Sequence, residues 1–333
     1  MERKTNLEKS IQRWQAFWQH SVSDRLPLVI RTYQKDAMTL DDTIPQIDGQ
    51  SGLTVTGWML GTKVKTIAGI SWVEPILNEA KDWHSIDFDA VGERANSIIE
   101  SYKNLVRNSQ GRYAISPGVL EGPADMAVRL LGEQKLAMAL YDYPDTVESM
   151  FTFLTDLARD LAMRKLNIIP RFEDGIACNG YWIPGKGIGI QEDFGQMISP
   201  QQFREIILKH DRKIVEGLDN VWFHIHSGAI QMAKEIVDSG TFGCIQITND
   251  YPAGPSPKEM IPTLQYIQKR CCLILRKLSL DQLKSIIDYL SPEGLALDIQ
   301  CYDSTTTKDI QTTLMTNEEA EQVIAWLDDW MNH

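Results

Sequence analysis

The sequence predicts an α/β fold, a single (β/α)8 TIM barrel spanning residues 1–333. Three observations carry that prediction. Short apolar runs alternate with amphipathic helical runs, the pattern of a parallel sheet covered by helices. Seven strand candidates are spread over nearly the whole chain, with no linker dividing it into halves. Polar side chains gather at the C-terminal ends of those strands, where sites lie in parallel α/β proteins. A doubly wound sheet would instead need a glycine-rich phosphate turn after the first strand. Gly185-Lys186-Gly187-Ile188-Gly189 is the nearest stretch to one, and it lacks the G-x-G-x-x-G spacing.

Residues 7–20 predict an N-terminal helix, because Ile11, Trp14, Phe17 and Trp18 form one apolar stripe at helical spacing. Leu26 to Tyr33 reads as the first strand. Residues 34–83 are loop-rich, with Gly49, Gly52, Gly57, Gly61 and Gly69 scattered through them. A stretch this long without clear elements is usually a lid or binding loop, here at the barrel mouth, and the eighth strand is placed within it. Helix resumes from Ala90 to Arg107, and Tyr113 to Val119 is strand-like. Helices follow from Ala124 to Tyr141 and from Pro144 to Leu166, the second opening on a proline suited to a first turn. Gly175 to Trp182 is the next strand.

Ser199-Pro200-Gln201-Gln202 opens a helix with a serine cap, a proline first and a glutamine placed for a capping box. A strand over Val221 to His226 and a helix from Ala229 to Ser239 come next. Strand Cys244 to Thr248 is followed by a helix opening at Ser256-Pro257-Lys258-Glu259. Strand Cys272 to Lys277, a helix from Ser279, strand Leu295 to Cys301 and a helix capped by Thr316 complete the series.

Composition bounds the function. Apolar content of 43% with 23% charged residues is ordinary for a folded chain. A net charge of -12 opposes non-specific nucleic-acid or anionic-membrane binding. No apolar run is long enough to cross a bilayer, and Met1-Glu2-Arg3-Lys4 does not begin a signal peptide. Five cysteines without a Cys-x-x-Cys pair do not make a disulfide framework, so the expectation is a cytoplasmic protein with reduced thiols.

The candidate site centres on Val221-Trp222-Phe223-His224-Ile225-His226-Ser227-Gly228. Strand side chains alternate, so Trp222, His224 and His226 share one face and Val221, Phe223 and Ile225 the other. Two imidazoles on one face, at the strand's C-terminal end, point to chemistry rather than to two core histidines. His-x-His supplies two nitrogen ligands for zinc, which needs one or two more. Cys301, at the end of the last strand, is the candidate thiolate. Parity sets a condition on it: if Asp298 and Gln300 face inward, Cys301 faces the helices unless the strand has ended. Glu121 and Asp125 flank Gly122-Pro123 as candidate acid–base carboxylates, and Asp125 is equally placed to stabilise a helix N-terminus. Arg31, Trp182, Asp193, Gln246, Asn249, Lys277 and Asp298 are the candidate substrate contacts.

Several motifs together resemble the uroporphyrinogen decarboxylase superfamily, and within it the decarboxylase-like corrinoid methyltransferases. They are Arg13-Trp14-Gln15-Ala16-Phe17-Trp18 with Asp24-Arg25-Leu26-Pro27, Glu121-Gly122-Pro123-Ala124-Asp125, and Gln191-Glu192-Asp193-Phe194-Gly195 running into Ile198-Ser199-Pro200-Gln201-Gln202-Phe203. The His224-Ile225-His226-Ser227-Gly228 turn and the stretch leading to Cys301 complete them. The resemblance implies a (β/α)8 barrel with its site at the strand C-terminal mouth. True decarboxylases of the family are similar to one another in an arginine-rich N-terminal loop, whereas this chain offers Arg31 alone in Val29-Ile30-Arg31-Thr32-Tyr33. The methyltransferase branch carries zinc on a His-x-Cys pair plus a distant cysteine. The resemblance places His224 at that histidine, His226 at the first cysteine and Cys301 at the second.

The expected function is therefore methyl transfer between a small-molecule substrate and a corrinoid on a partner protein, with zinc on His224, His226 and Cys301. The alternatives are metal-free decarboxylation of uroporphyrinogen or a related acid, and a barrel that binds a ligand without catalysis.

Overall fold

The computed structural model describes residues 2–32, 42–49, 53–67, 70–302 and 315–331. The chain is an α/β protein in two compact units. One comprises Met1–Pro45, Gly180–Pro184 and Trp222–His333, the other Gln46–Asn179 and Gly185–Val221.

The first unit is built on parallel strands. Leu28–Thr32 pairs with Leu295–Tyr302, then come Cys272–Arg276 and Cys244–Thr248, and last the histidine strand Asn220–His226 from Trp222 onward. Parallel neighbours need crossover connections, supplied here by the helices Ala233–Asp238, Pro257–Gln268 and Leu280–Lys284. The strands read as nearly continuous apolar runs because both faces are covered: Val29, Ile245, Leu273 and Leu297 are all buried. The first strand of the chain lies against the last of these, with Leu28 opposite Leu297 and Thr32 opposite Cys301. Register then sets candidate residues side by side: His224 opposite Gln246, His226 opposite Thr248, and Arg276 opposite Asp298.

The N-terminal helix, Glu2–Trp18, buries Ile11, Trp14 and Phe17 as its apolar stripe requires. Its polar side is fixed by the fully buried Asp42. That carboxylate accepts hydrogen bonds from Ser10 Oγ (2.9 Å), Arg13 Nη1 (2.8 Å), Arg25 Nη1 (2.6 Å) and the Leu28 backbone N–H (3.0 Å). A buried charge is tolerated only when paired and fully hydrogen-bonded, and this one is.

The second unit carries the helices Phe88–Ser109, Pro123–Leu131, Glu133–Asp142, Pro144–Ile168 and Leu208–Val215. Its parallel pair Leu120–Glu121 and Gly187–Gln191 revises the sequence reading: the strand expected within residues 34–83 has a counterpart here, in the glycine stretch weighed as a phosphate turn. Residues 34–83 also hold more order than expected, with strand Gln46–Asp48, helix Leu53–Met59 and the antiparallel hairpin Lys63–Ile67/Ile70–Glu74, although residues 33–41, 50–52 and 68–69 lie outside the described residues. Gly175 to Trp182 is two short strands rather than one, Gly175–Cys178 and Tyr181–Pro184. Asn179 (φ 55°) and Gly180 (φ 81°) both turn into the left-handed region between them. The capping boxes at Ser199 and Ser256 form as expected, and Ser279 and Glu79 make two more among the described residues.

Candidate active site

In the first unit, His224 and His226 leave the same face of their strand with ring centroids 4.9 Å apart. Each has its Nδ1 occupied. His224 Nδ1 is hydrogen-bonded to Gln246 Oε1, from the residue directly opposite on the next strand. His226 Nδ1 lies 2.6 Å from Asp250 Oδ2, just past the end of that same neighbouring strand. An amide oxygen and a carboxylate oxygen can only accept, so both imidazoles donate from Nδ1. Burial, reinforced by the neighbouring His226, pushes the His224 pKa down to about 3, which keeps its ring neutral.

Behind His224 runs a buried chain of polar groups. Gln246 Nε2 donates to the Tyr181 hydroxyl, and that hydroxyl donates to Asp298 Oδ2. Asp298, 1% exposed, is gripped by Arg31 through Nε (2.9 Å to each carboxylate oxygen) and Nη2 (2.9 Å), with Arg276 Nε at 3.5 Å. With the Gln300 amide turned to present its oxygen, the orientation that guanidinium donors require, Arg276 also donates to it from Nε at 3.0 Å and Nη2 at 2.8 Å. Burial, then the Asp298 charge, pushes the Tyr181 hydroxyl well above its ordinary pKa, so it stays a donor. The Tyr181 ring is walled by Trp14 (centroids 5.4 Å apart) and Trp222 (5.6 Å).

Two buried polar atoms beside the histidines have no hydrogen-bond partner among the described residues: Trp222 Nε1 and Thr248 Oγ1. Trp222 shares the histidine face, and Thr248 is opposite His226 in register and shares the parity of Gln246. Orphaned buried polar atoms of this kind are the ones a bound molecule can satisfy.

The remaining candidates of this unit are placed as follows. Trp182 is buried, its carbonyl accepting from Trp18 Nε1 at 2.8 Å. Asn249 is tied into the loops, donating to the Lys277 carbonyl (3.2 Å) and Gln282 Oε1 (3.1 Å) and accepting from the Tyr251 N–H (3.3 Å). Lys277 adopts a left-handed backbone, φ 65°, with its N–H donating to the Asp298 carbonyl at 3.0 Å. Cys301 continues the last strand, paired with Thr32 and Met315, and its side chain lies outside the described residues.

In the second unit, Glu121, Asp125 and Asp193 belong to a network of a different kind. Asp125, 2% exposed, accepts from the backbone N–H groups of Asp193 (3.0 Å) and Phe194 (2.9 Å). Glu192 does the reverse, accepting from the N–H groups of Ala124 (2.9 Å) and Asp125 (3.0 Å) at the start of helix Pro123–Leu131. The two segments clasp each other through exchanged carboxyl groups, and Glu192 supplies the acceptors that N–H groups at a helix N-terminus need. Gly122 has to be glycine, because a Cβ there would collide with Glu192 Oε1 and Asp211 Oδ1. Glu121 is ion-paired with Arg129, whose Nε and Nη2 reach Oε1 at 2.9 and 2.6 Å. Burial outweighs that partner and pushes the Glu121 pKa up to about 7, and the same cause raises Asp125 to about 6. Arg276, Thr248, Glu192 and Asp211 are the residues the sequence did not single out. Only the alternation of the Cys244–Thr248 strand, which puts Thr248 on the face of Gln246, could have flagged one of them.

No family model matches the sequence, and no curated protein does. Among solved structures the chain is similar to a methyltransferase from Methanosarcina mazei, with a TM-score of 0.60 at 14% identity, over 96% of this chain and 98% of that one. It also aligns with a B12-independent methionine synthase from Shewanella sp. W3-18-1 in complex with selenomethionine. There the TM-score is only 0.40 at 12% identity, over 80% of this chain and 72% of that one, too low to carry an argument. The first likeness establishes a shared fold.

Proposed function

We propose that the chain is a (β/α)8-barrel methyltransferase of the decarboxylase-like branch, moving a methyl group between a small-molecule substrate and a corrinoid on a partner protein. The barrel reading is supported by the parallel pairing of the chain's first strand with its last long one, the arrangement that closes such a sheet. One observation carries the functional reading. Both histidines of His224-Ile225-His226 have Nδ1 held by an acceptor, the outer-shell pattern of metal-binding histidines, in which Nε2 is the atom each ring would offer a metal.

The donor set suits zinc. His224 and His226 would hold it through Nε2, with Cys301 as the third ligand and one position left for substrate. Bound there, zinc would supply Lewis acidity, lowering the pKa of a substrate thiol or water. The chain's own groups do the rest. Gln246 and Asp250 keep the imidazoles in one tautomer. Thr248 Oγ1 and Trp222 Nε1 offer hydrogen bonds to the substrate. The aromatic wall of Trp14, Tyr181 and Trp222 excludes water and strengthens each of these interactions.

Metal analysis of untagged protein tests this first. Near-stoichiometric zinc, lost in both His224→Ala and Cys301→Ala, is the expected result, together with a change in the absorbance of a methyl-corrinoid protein when enzyme and a thiol acceptor are added. Wild-type protein that takes up no zinc after supplementation would overturn the metal site. Zinc binding without any corrinoid change would overturn methyl transfer alone.

A further inference from the structure

The chain behind His224 has a direction, and its far end sets it. Asp298 is an acceptor because its carboxylate faces two guanidinium groups, which can only donate, Arg31 at 2.9 Å and Arg276 at 3.5 Å. Tyr181 must then donate to it, which leaves the phenolic oxygen only a lone pair for its second partner. Gln246 is thereby obliged to present its amide N–H to Tyr181 and its carbonyl oxygen to His224. A carbonyl oxygen facing Nδ1 admits only the Nδ1–H tautomer. Each link is forced by the one before it, and none exchanges with solvent, since Tyr181, Gln246 and Asp298 are each 1% exposed.

We propose that Asp298 is a positioning residue that fixes the His224 tautomer from three hydrogen bonds away, through Tyr181 and Gln246, so that Nε2 is presented as a ready lone pair. This rests on the reading that His224 Nε2 is the working atom, but it is tested on the ring itself. A glutamine alone does not fix a histidine tautomer, because its amide can rotate to offer either atom. The buried ion pair is what removes that freedom. Arg31 thus serves the site through its ion pair with Asp298.

The test is long-range 15N–1H NMR of protein labelled with 15N-histidine, stripped of metal, with the His224 signals assigned by their loss in His224→Gln. Wild type should show a single Nδ1–H tautomer at His224. Tyr181→Phe keeps both arginine–Asp298 ion pairs, and so tests the relay without unpairing a buried charge. In it the Gln246 amide is released, and His224 should become a mixture of tautomers or the Nε2–H form. Adding Gln246→Glu to Tyr181→Phe puts an acceptor-only group against Nδ1 and should restore the wild-type pattern. A packing defect would not be rescued in that way. Zinc affinity should follow the same order, falling roughly tenfold or more in Tyr181→Phe and recovering in the double variant. His224 remaining wholly Nδ1–H in Tyr181→Phe would overturn the relay, whatever zinc does. The predicted tautomers in a wild type that binds no zinc would uphold the relay and overturn the metal reading instead.

Discussion

His226 Nδ1 stands 2.6 Å from Asp250 Oδ2, so the second histidine of the pair is oriented by a carboxylate where the first is oriented by an amide. A carboxylate makes the ring it holds a more basic ligand than an amide does. Asp250→Ala should therefore cost roughly 10- to 100-fold in zinc affinity, and Asp250→Asn, which keeps an acceptor oxygen, distinctly less. Titration against a competing chelator reads both. Equal affinities for wild type and Asp250→Ala would take His226 out of the site.

Thr248 makes a contrasting case. Its hydroxyl is buried with no partner among the described residues, so the fold carries the desolvation of that group without a compensating bond. Thr248→Val should leave stability unchanged or raise it by about 1 kcal/mol, as seen in the denaturant midpoint. A loss of 2 kcal/mol or more by the same measure would mean that the hydroxyl is satisfied in solution and is not held for a substrate.

The sequence displayed the site unevenly. Alternation alone placed Trp222, His224 and His226 on one face, and register then brought Gln246 opposite His224 as any parallel pairing of those two strands would. Serine–proline starts and helical stripes marked Ser199, Ser256 and the N-terminal helix, because those signals are local. What stayed hidden is non-local. Glu192 caps helix Pro123–Leu131 through the N–H of Ala124, 68 residues earlier in the chain, and no spacing rule links the two. Gly185-Lys186-Gly187-Ile188-Gly189 reads by its glycines as the nearest thing to a phosphate turn, yet strand Gly187–Gln191 fully buries Ile188 and Ile190. Asp298 and Tyr181, 117 residues apart, could be recognised as partners only once the strands were ordered.

The second unit predicts an unusual pH dependence. Glu192 and Asp211 are fully buried, and burial raises both pKa values well above the ordinary carboxylate range, reinforced at Glu192 by the Asp211 charge and at Asp211 by that of Asp125. Asp125 and Glu121 are raised to about 6 and about 7, again chiefly by burial. Groups with raised folded-state pKa values bind protons on folding. Their contribution is greatest below the unfolded values, about 4, and is lost as pH rises through the folded ones. Thermal stability should accordingly fall from about pH 5 toward pH 8 rather than peak near neutrality. Asp211→Asn removes one charge of the Glu192 pair and should flatten that slope, with a gain of about 1 kcal/mol or more at pH 8. A melting profile of Asp211→Asn parallel to that of wild type between those limits would show that the pair is not ionising there.

Asp125 gives the sharpest separation between a structural and a chemical role. Its two carboxylate oxygens are engaged by the N–H groups of Asp193 and Phe194, and Glu192 engages the Asp125 N–H in return. Asp125→Ala leaves two N–H groups without their acceptor in a buried setting, at about 1–3 kcal/mol for each one left unsatisfied. The expected outcome is a loss of roughly 2–5 kcal/mol in the denaturant midpoint, with turnover per folded molecule little changed. Asp125→Asn retains one acceptor oxygen and should fall between the two. A general acid or base would behave in the opposite way, with unfolding unmoved and turnover down by roughly 10²–10⁴. The same assay on Gly122→Ala, whose Cβ would strike Glu192 and Asp211 directly, should reproduce the stability loss without removing any titratable group. Agreement between the two variants would identify the Glu121–Asp125 motif as the clasp of the second unit. An activity loss confined to Asp125→Ala would return it to the chemistry.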